Sequence, residues 1–163
     1  VQRLTAMSKK RKCIIVDLDG TLCNSEHRLH YVKQVPQDWK NFLDGCVHDT
    51  LNREVFELCQ MAYQSGMPIF FCSGRPEQYR AVTQEWFHEY GIPPYRSLMM
   101  RPQEDTKTPD HEIKKIMLDQ IRAWGYDPIF AVDDRPTVIA MWRANGVPCF
   151  AMDDTNWRDQ KEQ

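Results

Sequence analysis

Five short runs of apolar residues alternate along the chain with longer segments in which apolar residues recur at helical spacing. Short apolar runs are typical of buried strands, and strands that alternate with helices favour a parallel sheet with crossover helices. We therefore predict an α/β fold. Its expected strands are residues 13–18, 67–72, 97–100, 128–132 and 147–152.

Prolines and glycines mark the ends of the predicted helices. Proline suits the first turn because its fixed φ matches the helix and its missing N–H would have no partner there. Glycine commonly follows the last turn, where the chain adopts a positive φ. Pro76 and Pro136 are therefore predicted starts, and Gly66, Gly125 and Gly146 are predicted stops. The predicted helices are residues 50–65, 76–91, 108–125 and 136–146.

One segment, residues 23–49, follows neither the period of a strand nor that of a helix. It is also too long for a tight turn, since most connections in compact domains are much shorter. We expect it to form a small cap insertion over the end of the first strand, within a single domain at residues 13–152. The polar ends of the chain, residues 1–12 and 153–163, are expected to be flexible tails.

Composition narrows the class of protein. The chain has 163 residues, which suits one domain, and its 42% apolar and 27% charged residues are typical of a folded, soluble protein. A net charge of −2 gives no argument for nonspecific nucleic-acid binding, and the apolar runs are too short to cross a bilayer. The six cysteines form no CxxC pair, which favours a reducing, cytoplasmic compartment. Four of them, Cys13, Cys59, Cys72 and Cys149, lie in apolar stretches and are expected to be small core residues.

Polar residues lie at, or directly after, the ends of four of the predicted strands. Ligands of open parallel sheets bind beyond the carboxyl ends of the strands, so these side chains are expected to meet at one site. A lone aspartate after a strand more often makes a turn or caps a helix, but an ordered set at four strand ends argues against chance. The residues are Asp17, Asp19, Thr21, Ser73, Gly74, Arg75, Arg101, Asp133 and Asp134.

The carboxylates in this set predict a hard divalent cation. Mg²⁺ prefers oxygen ligands and keeps several waters, so two or three carboxylates with one backbone carbonyl are enough to bind it. The five histidines are scattered, and no cluster of histidines and cysteines has the spacing of zinc ligands. We therefore expect Mg²⁺ as the cofactor.

Four motifs in order resemble the signature of haloacid dehalogenase (HAD) superfamily phosphatases: DLDGTL, SGR, a lysine in a helix, and DD after a strand. They span residues 17–134. Asp19 is typical of the phosphohydrolases and mutases within this superfamily. The resemblance implies a Rossmann-like three-layer sandwich with a central five-stranded parallel sheet and a small cap.

A closer resemblance lies in the segments around these motifs. Arg28, the stretches LMMRP and TPDHEIK, and AVDDRPTVIAMWRANGV are similar to the 3′-phosphatase domain of bacteriophage polynucleotide kinases. The kinase half of that family carries a GxxxxGK[ST] loop, which this chain lacks. The resemblance therefore implies the phosphatase half alone, either free-standing or cut from a larger protein.

The resemblance assigns a role to each motif residue. Asp17 would be the nucleophile and form an aspartyl phosphate. Asp19 would protonate the leaving oxygen and then deprotonate the attacking water, and its backbone carbonyl would bind the metal. Because Asp17 and Asp19 are close, their pKa values should move apart, which leaves one proton on the pair near neutral pH. Ser73 would bond a phosphate oxygen, and Lys114 would offset negative charge. Asp133 and Asp134 would complete the Mg²⁺ ligands, and which of them binds directly is left open.

The choice of Lys114 depends on its spacing in the predicted helix. Asp110 lies four residues earlier, on the same helical face, and is expected to orient the ammonium. Lys115 would point about 100° further round the helix and is the main rival. Lys107, just before the helix, is a weaker one.

Three arginines are candidates for the substrate's phosphates: Arg28, Arg75 and Arg101. The guanidinium fork matches two phosphate oxygens at once. Thr21, Gly74 and Asp110 complete the predicted substrate-binding set. In the cap insertion, Tyr31, Trp39 and Phe42 have two open interpretations, which are stacking on a terminal base and packing against the domain.

The leading interpretation is a Mg²⁺-dependent phosphatase of polynucleotide 3′ ends in nucleic-acid repair, because a small cap leaves the site open to a polymer. Two alternatives remain, a nucleotidase or other small-molecule phosphatase, and a non-catalytic domain that binds nucleic-acid ends. The expected partners are DNA or RNA 3′ ends, with a kinase or ligase partner and a homo-oligomer left open. No membrane is expected, and a phage-encoded chain would act in the host cytoplasm.

Overall fold

A five-stranded parallel sheet forms the centre of the computed structural model, which describes residues 9–152. The strands are β1 (Arg11–Val16), β2 (Cys23–Asn24), β3 (Thr50–Leu51), β4 (Ile69–Pro76), β5 (Ser97–Arg101), β6 (Tyr126–Asp133) and β7 (Cys149–Ala151). The α-helices are α1 (His30–Lys33), α2 (Trp39–Asp44), α3 (Arg53–Gln64), α4 (Arg80–Glu89), α5 (Asp110–Ala123) and α6 (Pro136–Ala144).

The strand order of the main sheet is β5-β4-β1-β6-β7, and every neighbouring pair is parallel. The predicted α/β fold with a central five-stranded parallel sheet is confirmed. β1 lies in the middle, and the chain winds outward from it first to one edge and then to the other. Such a reversal opens a crevice at the carboxyl ends of the central strands. The polar residues at the carboxyl ends of β1, β4 and β6 therefore share one edge of the sheet.

The sheet is buried on both faces, which produces three layers. Along β1, Cys13 and Ile15 pack with the apolar residues of α5 and α6, whereas Ile14 and Val16 pack with those of α3 and α4. Successive side chains of a strand point to opposite faces. Strands covered on both faces need apolar residues at consecutive positions, which explains the continuous apolar runs in the sequence.

Several elements begin or end differently from the prediction. β1 begins at Arg11, two residues early, because its backbone pairs with Tyr126 while its exposed side chain gives no apolar signal. β4 continues through Pro76, which was predicted to open a helix but pairs with Arg101 of β5. A short 3-10 helix, Glu77–Tyr79, precedes α4. Residues 50–51, predicted within α3, form β3 instead.

Residues 23–49, which we call the cap segment, contain β2, α1, α2 and two 3-10 helices. β2 pairs antiparallel with β3, which follows directly, so both ends of the segment are tied together. Leu29, Val32 and Phe42 form a small apolar cluster of its own. We retain the interpretation of this segment as a cap. Of the predicted tails, residues 1–8 and 153–163 lie outside the described residues, and residues 11–12 belong to β1.

All six cysteines are buried free thiols, which agrees with the prediction for Cys13, Cys59, Cys72 and Cys149 and adds Cys23 and Cys46. Burial raises the pKa of each thiol, for Cys13, Cys59 and Cys149 to about 12. Between residues 9 and 152, none of the helices has the length and apolar character needed to cross a membrane.

Candidate active site

Asp17 follows β1 directly, and both of its carboxylate oxygens accept hydrogen bonds. Lys114 donates from Nζ to Oδ1 at 2.6 Å, and Thr21 donates from Oγ1 to Oδ2 at 2.8 Å. Burial and the negative charge of Asp133 raise the pKa of Asp17 to about 7, although Lys114 acts in the opposite direction. The predicted nucleophile is thus a buried carboxyl group in a fixed orientation.

The turn after Asp17 depends on Gly20. Gly20 has a φ of 79°, which side chains other than glycine rarely adopt. The amide of Thr21 donates to the carbonyl of Leu18 at 3.0 Å, which closes the turn. This turn carries the Thr21 hydroxyl back to Asp17. Thr21 was predicted to bind substrate, but it is fully buried and holds the nucleophile instead.

Lys114 lies on α5 and reaches the site from the far side of Asp17. Its buried Nζ also donates to Oδ2 of Asp133 at 2.9 Å. Burial opposes the charge of this ammonium, but the carboxylates of Asp133 and Asp17 outweigh it and hold the pKa of Lys114 well above its usual value. The predicted rival, Lys115, is partly exposed and pairs with Asp119 on the helix surface. The structure therefore brings Lys114, and not Lys115, to Asp17.

Asp133 is the last residue of β6 and Asp134 follows it, and the two residues differ in how their carboxylates are bonded. Oδ2 of Asp133 accepts from Lys114 and, at 3.1 Å, from Nε1 of Trp142. Its Oδ1 accepts the backbone N–H groups of Asp134 and Arg135 at 3.0 and 3.3 Å. Both oxygens of Asp133 are therefore engaged with the protein.

The buried Oδ2 of Asp134, in contrast, has no hydrogen-bond partner among the described residues. Burial and the charges of Asp17 and Asp133 raise the pKa of Asp134 well above its usual value. Each of these three aspartates offers an oxygen within 4.8 Å of the others. An unpartnered buried carboxylate oxygen is costly unless a cation binds it. Asp134 thus has the free ligand atom, while Asp133 holds Lys114.

The carboxylate of Asp19 is bonded to two arginines. Arg75 donates to it from Nε at 3.1 Å and from Nη2 at 2.6 Å, and Arg28 donates from Nη2. Burial favours the neutral acid, but Arg75 and Arg28 outweigh it and hold the pKa of Asp19 well below its usual range. The titration of Asp17 and Asp19 is split, with the raised pKa on Asp17 and the depressed one on Asp19.

Arg28 does not face the cleft, contrary to its predicted contact with substrate phosphates. It is fully buried and donates two hydrogen bonds to Asp49, from Nε at 2.7 Å and from Nη2 at 2.6 Å. Its Nη1 donates to the carbonyl of Phe42 at 2.9 Å. Asp49 supplies the buried counter-charge that makes this position favourable for a guanidinium.

Arg75 is buried too, although it lines the cleft. Besides Asp19 it contacts Thr83 through Nη1 at 3.0 Å and Asp49 through Nη2 at 3.1 Å. We call Asp19, Arg28, Asp49 and Arg75 the charge cluster. Asp49 is a member that sequence analysis missed, because an aspartate just before a short strand resembles an ordinary turn residue. Its partner Arg28 lies 21 positions away.

Asp110 does not bond to Lys114 as the helical spacing predicted. It pairs with Nη2 of Arg101 at 3.3 Å and with Nη1 of Arg135 at 3.5 Å. These pairings follow from the position of Asp110, which is the first residue of α5 and lies against the last residues of β4. A Cβ atom at Gly74 would lie 2.2 Å from Oδ1 of Asp110, so any other residue there would displace the Asp110 carboxylate. Arg101 completes this corner by donating to the carbonyl of Gly74 at 3.1 Å.

Ser73 was predicted to bond a phosphate oxygen, but it is fully buried and does not line the cleft. Its Oγ accepts the backbone N–H of Arg75 at 3.1 Å. Ser73 therefore stabilises the local backbone of β4 between residues 73 and 75.

A cleft of about 420 Å³ leads to Asp17. One wall is apolar and comes from the cap segment, with Trp39, Phe42 and Leu43. Tyr31, the third aromatic residue considered in the sequence, packs on the cap's own apolar cluster. The rest of the lining is mostly polar and comes from Asp17, Asp19, Gly74, Arg75, Pro76, Arg101, Asp105, Thr106, Thr108, Asp110, Lys114, Asp134 and Arg135.

Comparison with known proteins decides the family. Residues 11–157 match the model of the polynucleotide kinase PNKP phosphatase domain. The chain belongs to this family. The resemblance to HAD phosphatases, and among them to the phosphatase part of polynucleotide kinases, is thereby confirmed.

Relatives of this PNKP-type phosphatase domain include longer proteins. It is 28% identical over 139 residues to a protein of Autographa californica nuclear polyhedrosis virus that is proposed to be a bifunctional polynucleotide kinase/RNA ligase. The match covers 84% of this chain and 18% of the viral protein. A chain in a solved Pnkp1/Rnl/Hen1 RNA repair complex has a TM-score of 0.72 and 32% identity, over 93% of this chain and 46% of that one.

A more distant neighbour is the class C acid phosphatase from Bacillus anthracis. Its TM-score is 0.67 at 16% identity, over 93% of this chain and 71% of that one. This likeness shows a shared fold. The domain spans about half the length of the RNA repair chain and less than a fifth of the viral protein that it matches.

Proposed function

We propose that this phosphatase domain removes 3′-phosphates from polynucleotide ends, with Mg²⁺ as cofactor and Asp17 as nucleophile. The observation that carries the proposal is the geometry at Asp17. A buried carboxylate, held by Lys114 and Thr21, lies at the head of an open cleft and beside the unpartnered oxygen of Asp134. The family supports phosphatase chemistry, and the repair relatives support a nucleic-acid substrate.

The acidic group fits Mg²⁺ by its chemistry. Its donors are all carboxylate oxygens, the ligands this cation prefers, and the free Oδ2 of Asp134 needs a positive partner. We assign Asp17 and Asp134 as direct ligands and Asp133 as the residue that orients them through Lys114. The carboxylate of Asp19 is held by arginines, so its contribution would come from its backbone carbonyl. When bound, the ion would offset the negative charge of the phosphate and of Asp17.

In the proposed first step, an Asp17 oxygen attacks the phosphorus and the bond from phosphorus to the 3′ oxygen breaks. Lys114 keeps Asp17 oriented and offsets the charge that gathers on the phosphate. In the second step, water attacks the aspartyl phosphate and releases inorganic phosphate. We propose that Asp19 gives a proton to the leaving 3′ oxygen in the first step and takes one back from the attacking water in the second. Arg75 and Arg28 lower its pKa and favour the ionised form, which suits the second step.

The open cleft supports a polymer end as substrate. Its charged side carries Arg101 and Arg135, and its other wall carries aromatic residues of the cap segment. A nucleic-acid end combines phosphates with flat bases, so both walls have suitable partners. We further propose that a kinase or ligase acts alongside this domain, as the descriptions of its relatives suggest.

The test compares four substrates: a 3′-phosphorylated oligonucleotide, a 3′-mononucleotide, a 5′-mononucleotide and p-nitrophenyl phosphate. The highest kcat/KM is expected for the oligonucleotide, with no phosphate released in EDTA and activity restored by Mg²⁺. Asp17→Asn should abolish release from every substrate while the protein stays folded. The matched control is Asp119→Asn, an exposed carboxylate on α5, which should behave like wild type. Faster turnover of the 5′-mononucleotide than of the oligonucleotide would contradict the proposal and favour a nucleotidase.

A further inference from the structure

We infer that Trp39 is a stacking platform for the terminal nucleobase of the substrate. This inference rests on the proposed function and names the part of the nucleic-acid end that the cap segment recognises. It concerns binding and specificity, because Trp39 lies in the cleft wall and not in the group of aspartates and lysine that the chemistry requires.

Trp39 is unusually placed for a large aromatic residue. Its surface is 44% exposed, and it lines the cleft together with Asp17 and Lys114. Its polar atom is already engaged, since Nε1 donates to Oε1 of Gln37 at 3.2 Å. The ring therefore offers the cleft an apolar surface that water solvates poorly and that a flat ligand can cover.

The ring is also held in place before any ligand binds. Phe42 meets it edge-on, with ring centroids 5.7 Å apart and an interplanar angle of 85°. Phe42 is only 3% exposed, and the guanidinium of Arg28 lies 4.2 Å from its centroid. The charge cluster thus supports Phe42, and Phe42 supports Trp39.

Both ends of α2 are fixed as well. At its start, Asp38 accepts the backbone N–H of Asn41 at 3.0 Å, which caps the helix. At its end, the hydroxyl of Tyr79 donates to Oδ1 of Asp44 at 2.7 Å and ties α2 to the 3-10 helix before α4. A platform that is ordered in advance loses little conformational entropy when a ligand stacks on it.

The rest of the cleft lining favours a nucleotide over a wholly apolar flat ligand, because it carries charged side chains. With the phosphate at Asp17, the leaving sugar would lie further out in the cleft, whose lining includes Arg101 and Arg135 as well as Trp39. A sugar and its neighbouring phosphate suit the charged side. The base is the part of a nucleic-acid end that an indole ring binds well, whatever the sequence, because every base has a π-face.

The test uses two 3′-phosphorylated oligonucleotides that differ only in the last nucleoside, which has a base in one and is abasic in the other. For the base-bearing end, Trp39→Ala should lower kcat/KM by about 5- to 150-fold, mainly through KM, since stacking contributes about 1–3 kcal/mol per base. For the abasic end, the variant and wild type should be equal. Trp39→Phe should recover most of the loss. Tyr63→Ala removes an aromatic residue that is 48% exposed on α3 and outside the cleft lining, and it should change neither substrate.

The outcomes separate two failures. If wild type hydrolyses both oligonucleotides and Trp39→Ala slows both to the same extent, Trp39 acts through the fold and the stacking platform is wrong. If wild type releases phosphate from neither oligonucleotide, the proposed function itself is wrong. Thermal denaturation of each variant accompanies the kinetics, and the partly exposed position of Trp39 predicts a midpoint close to that of wild type.

Discussion

The ammonium of Lys114 lies 2.6 Å from Oδ1 of Asp17, and both side chains are buried. A buried ion pair contributes little net stability, yet removing one partner leaves the other charge without compensation. This contact therefore ties the orientation of the predicted nucleophile to the fold, since Lys114 projects from α5 while Asp17 follows β1.

Lys114→Ala is expected to reduce phosphate release strongly, because Asp17 loses the cation that orients it and offsets charge on the phosphate. The loss of transition-state stabilisation should reach about 100-fold or more in kcat, as for other groups that stabilise developing charge. Steady-state kinetics with a 3′-phosphorylated oligonucleotide measure it. Lys115→Ala, which removes the neighbouring surface lysine, should retain wild-type kcat; equal losses in both variants would contradict the assignment of Lys114.

Asp134→Asn should separate metal binding from folding. In EDTA, the variant should be at least as stable as wild type, because it removes a buried carboxylate oxygen that has no partner. Added Mg²⁺ should raise the thermal midpoint of wild type by mass action, but not that of the variant. Asp133→Asn is the contrasting variant and should be less stable in EDTA, because it disturbs the bonds to Lys114 and Trp142. A Mg²⁺-induced shift in Asp134→Asn equal to that of wild type would exclude Asp134 as a ligand.

The metal-free protein should lose stability as the pH rises through neutrality. Burial raises the pKa of Asp17 from 3.8 to about 7, so the folded state holds a proton there that the unfolded chain has already released. A raised carboxyl pKa contributes stability below its folded value, and that contribution disappears as the pH rises through about 7. Urea unfolding in EDTA at pH 5.5 and 8 measures the effect, and Asp17→Asn should flatten the dependence. Greater stability at pH 8 than at pH 5.5 would be the contradicting result.

Asp49→Ala should destabilise the fold more than any surface aspartate does. The substitution removes one of the two carboxylates, Asp49 and Asp19, that both Arg28 and Arg75 contact, and the loss of one partner in a buried ion pair costs about 3–5 kcal/mol. The free energy of unfolding in urea measures this. Asp44→Ala, at an exposed position in the cap segment, should cost much less. Comparable values for the two variants would show that the charge cluster does not hold the cap segment.

Gly74→Ala should impair activity with a small effect on stability. The new Cβ would lie 2.2 Å from Oδ1 of Asp110 and would push that carboxylate away from Arg101. A displacement of this kind at the cleft is expected to lower kcat/KM by about 10- to 100-fold. Gly66→Ala provides the opposite control, because a methyl group there meets open space while the positive φ is strained. It should lower the thermal midpoint and leave kcat/KM unchanged.

The sheet could be predicted from the sequence because its strands are buried on both faces. Ile14 and Ile15 pack on opposite layers, as do Phe70 and Phe71, so apolar residues occupy consecutive positions. The start of β1 was missed because Arg11 contributes backbone pairing and no apolar side chain.

The aspartates of the site were placed correctly at the sheet edge because chain order and parallel topology determine it. The contacts of the arginines were harder to predict, since their partners are distant in sequence. Arg28 was expected to bind phosphate, but its guanidinium donates to the buried Asp49 instead. Asp110 was expected to follow helical spacing, but it lies in the first turn of α5, where the neighbouring chain at Gly74 and Arg101 decides its contacts. No local pattern encodes such contacts.

Because its six thiols are buried, this domain is convenient to label with a fluorescent dye at one introduced cysteine. Their raised pKa values and lack of exposure mean that maleimide dyes at neutral pH should react with them slowly. A cysteine introduced at Val47, which is exposed in the cap segment, would then be the one fast-reacting site in the chain. A dye attached there would report on the surroundings of the cap segment in single molecules, without prior removal of any native cysteine.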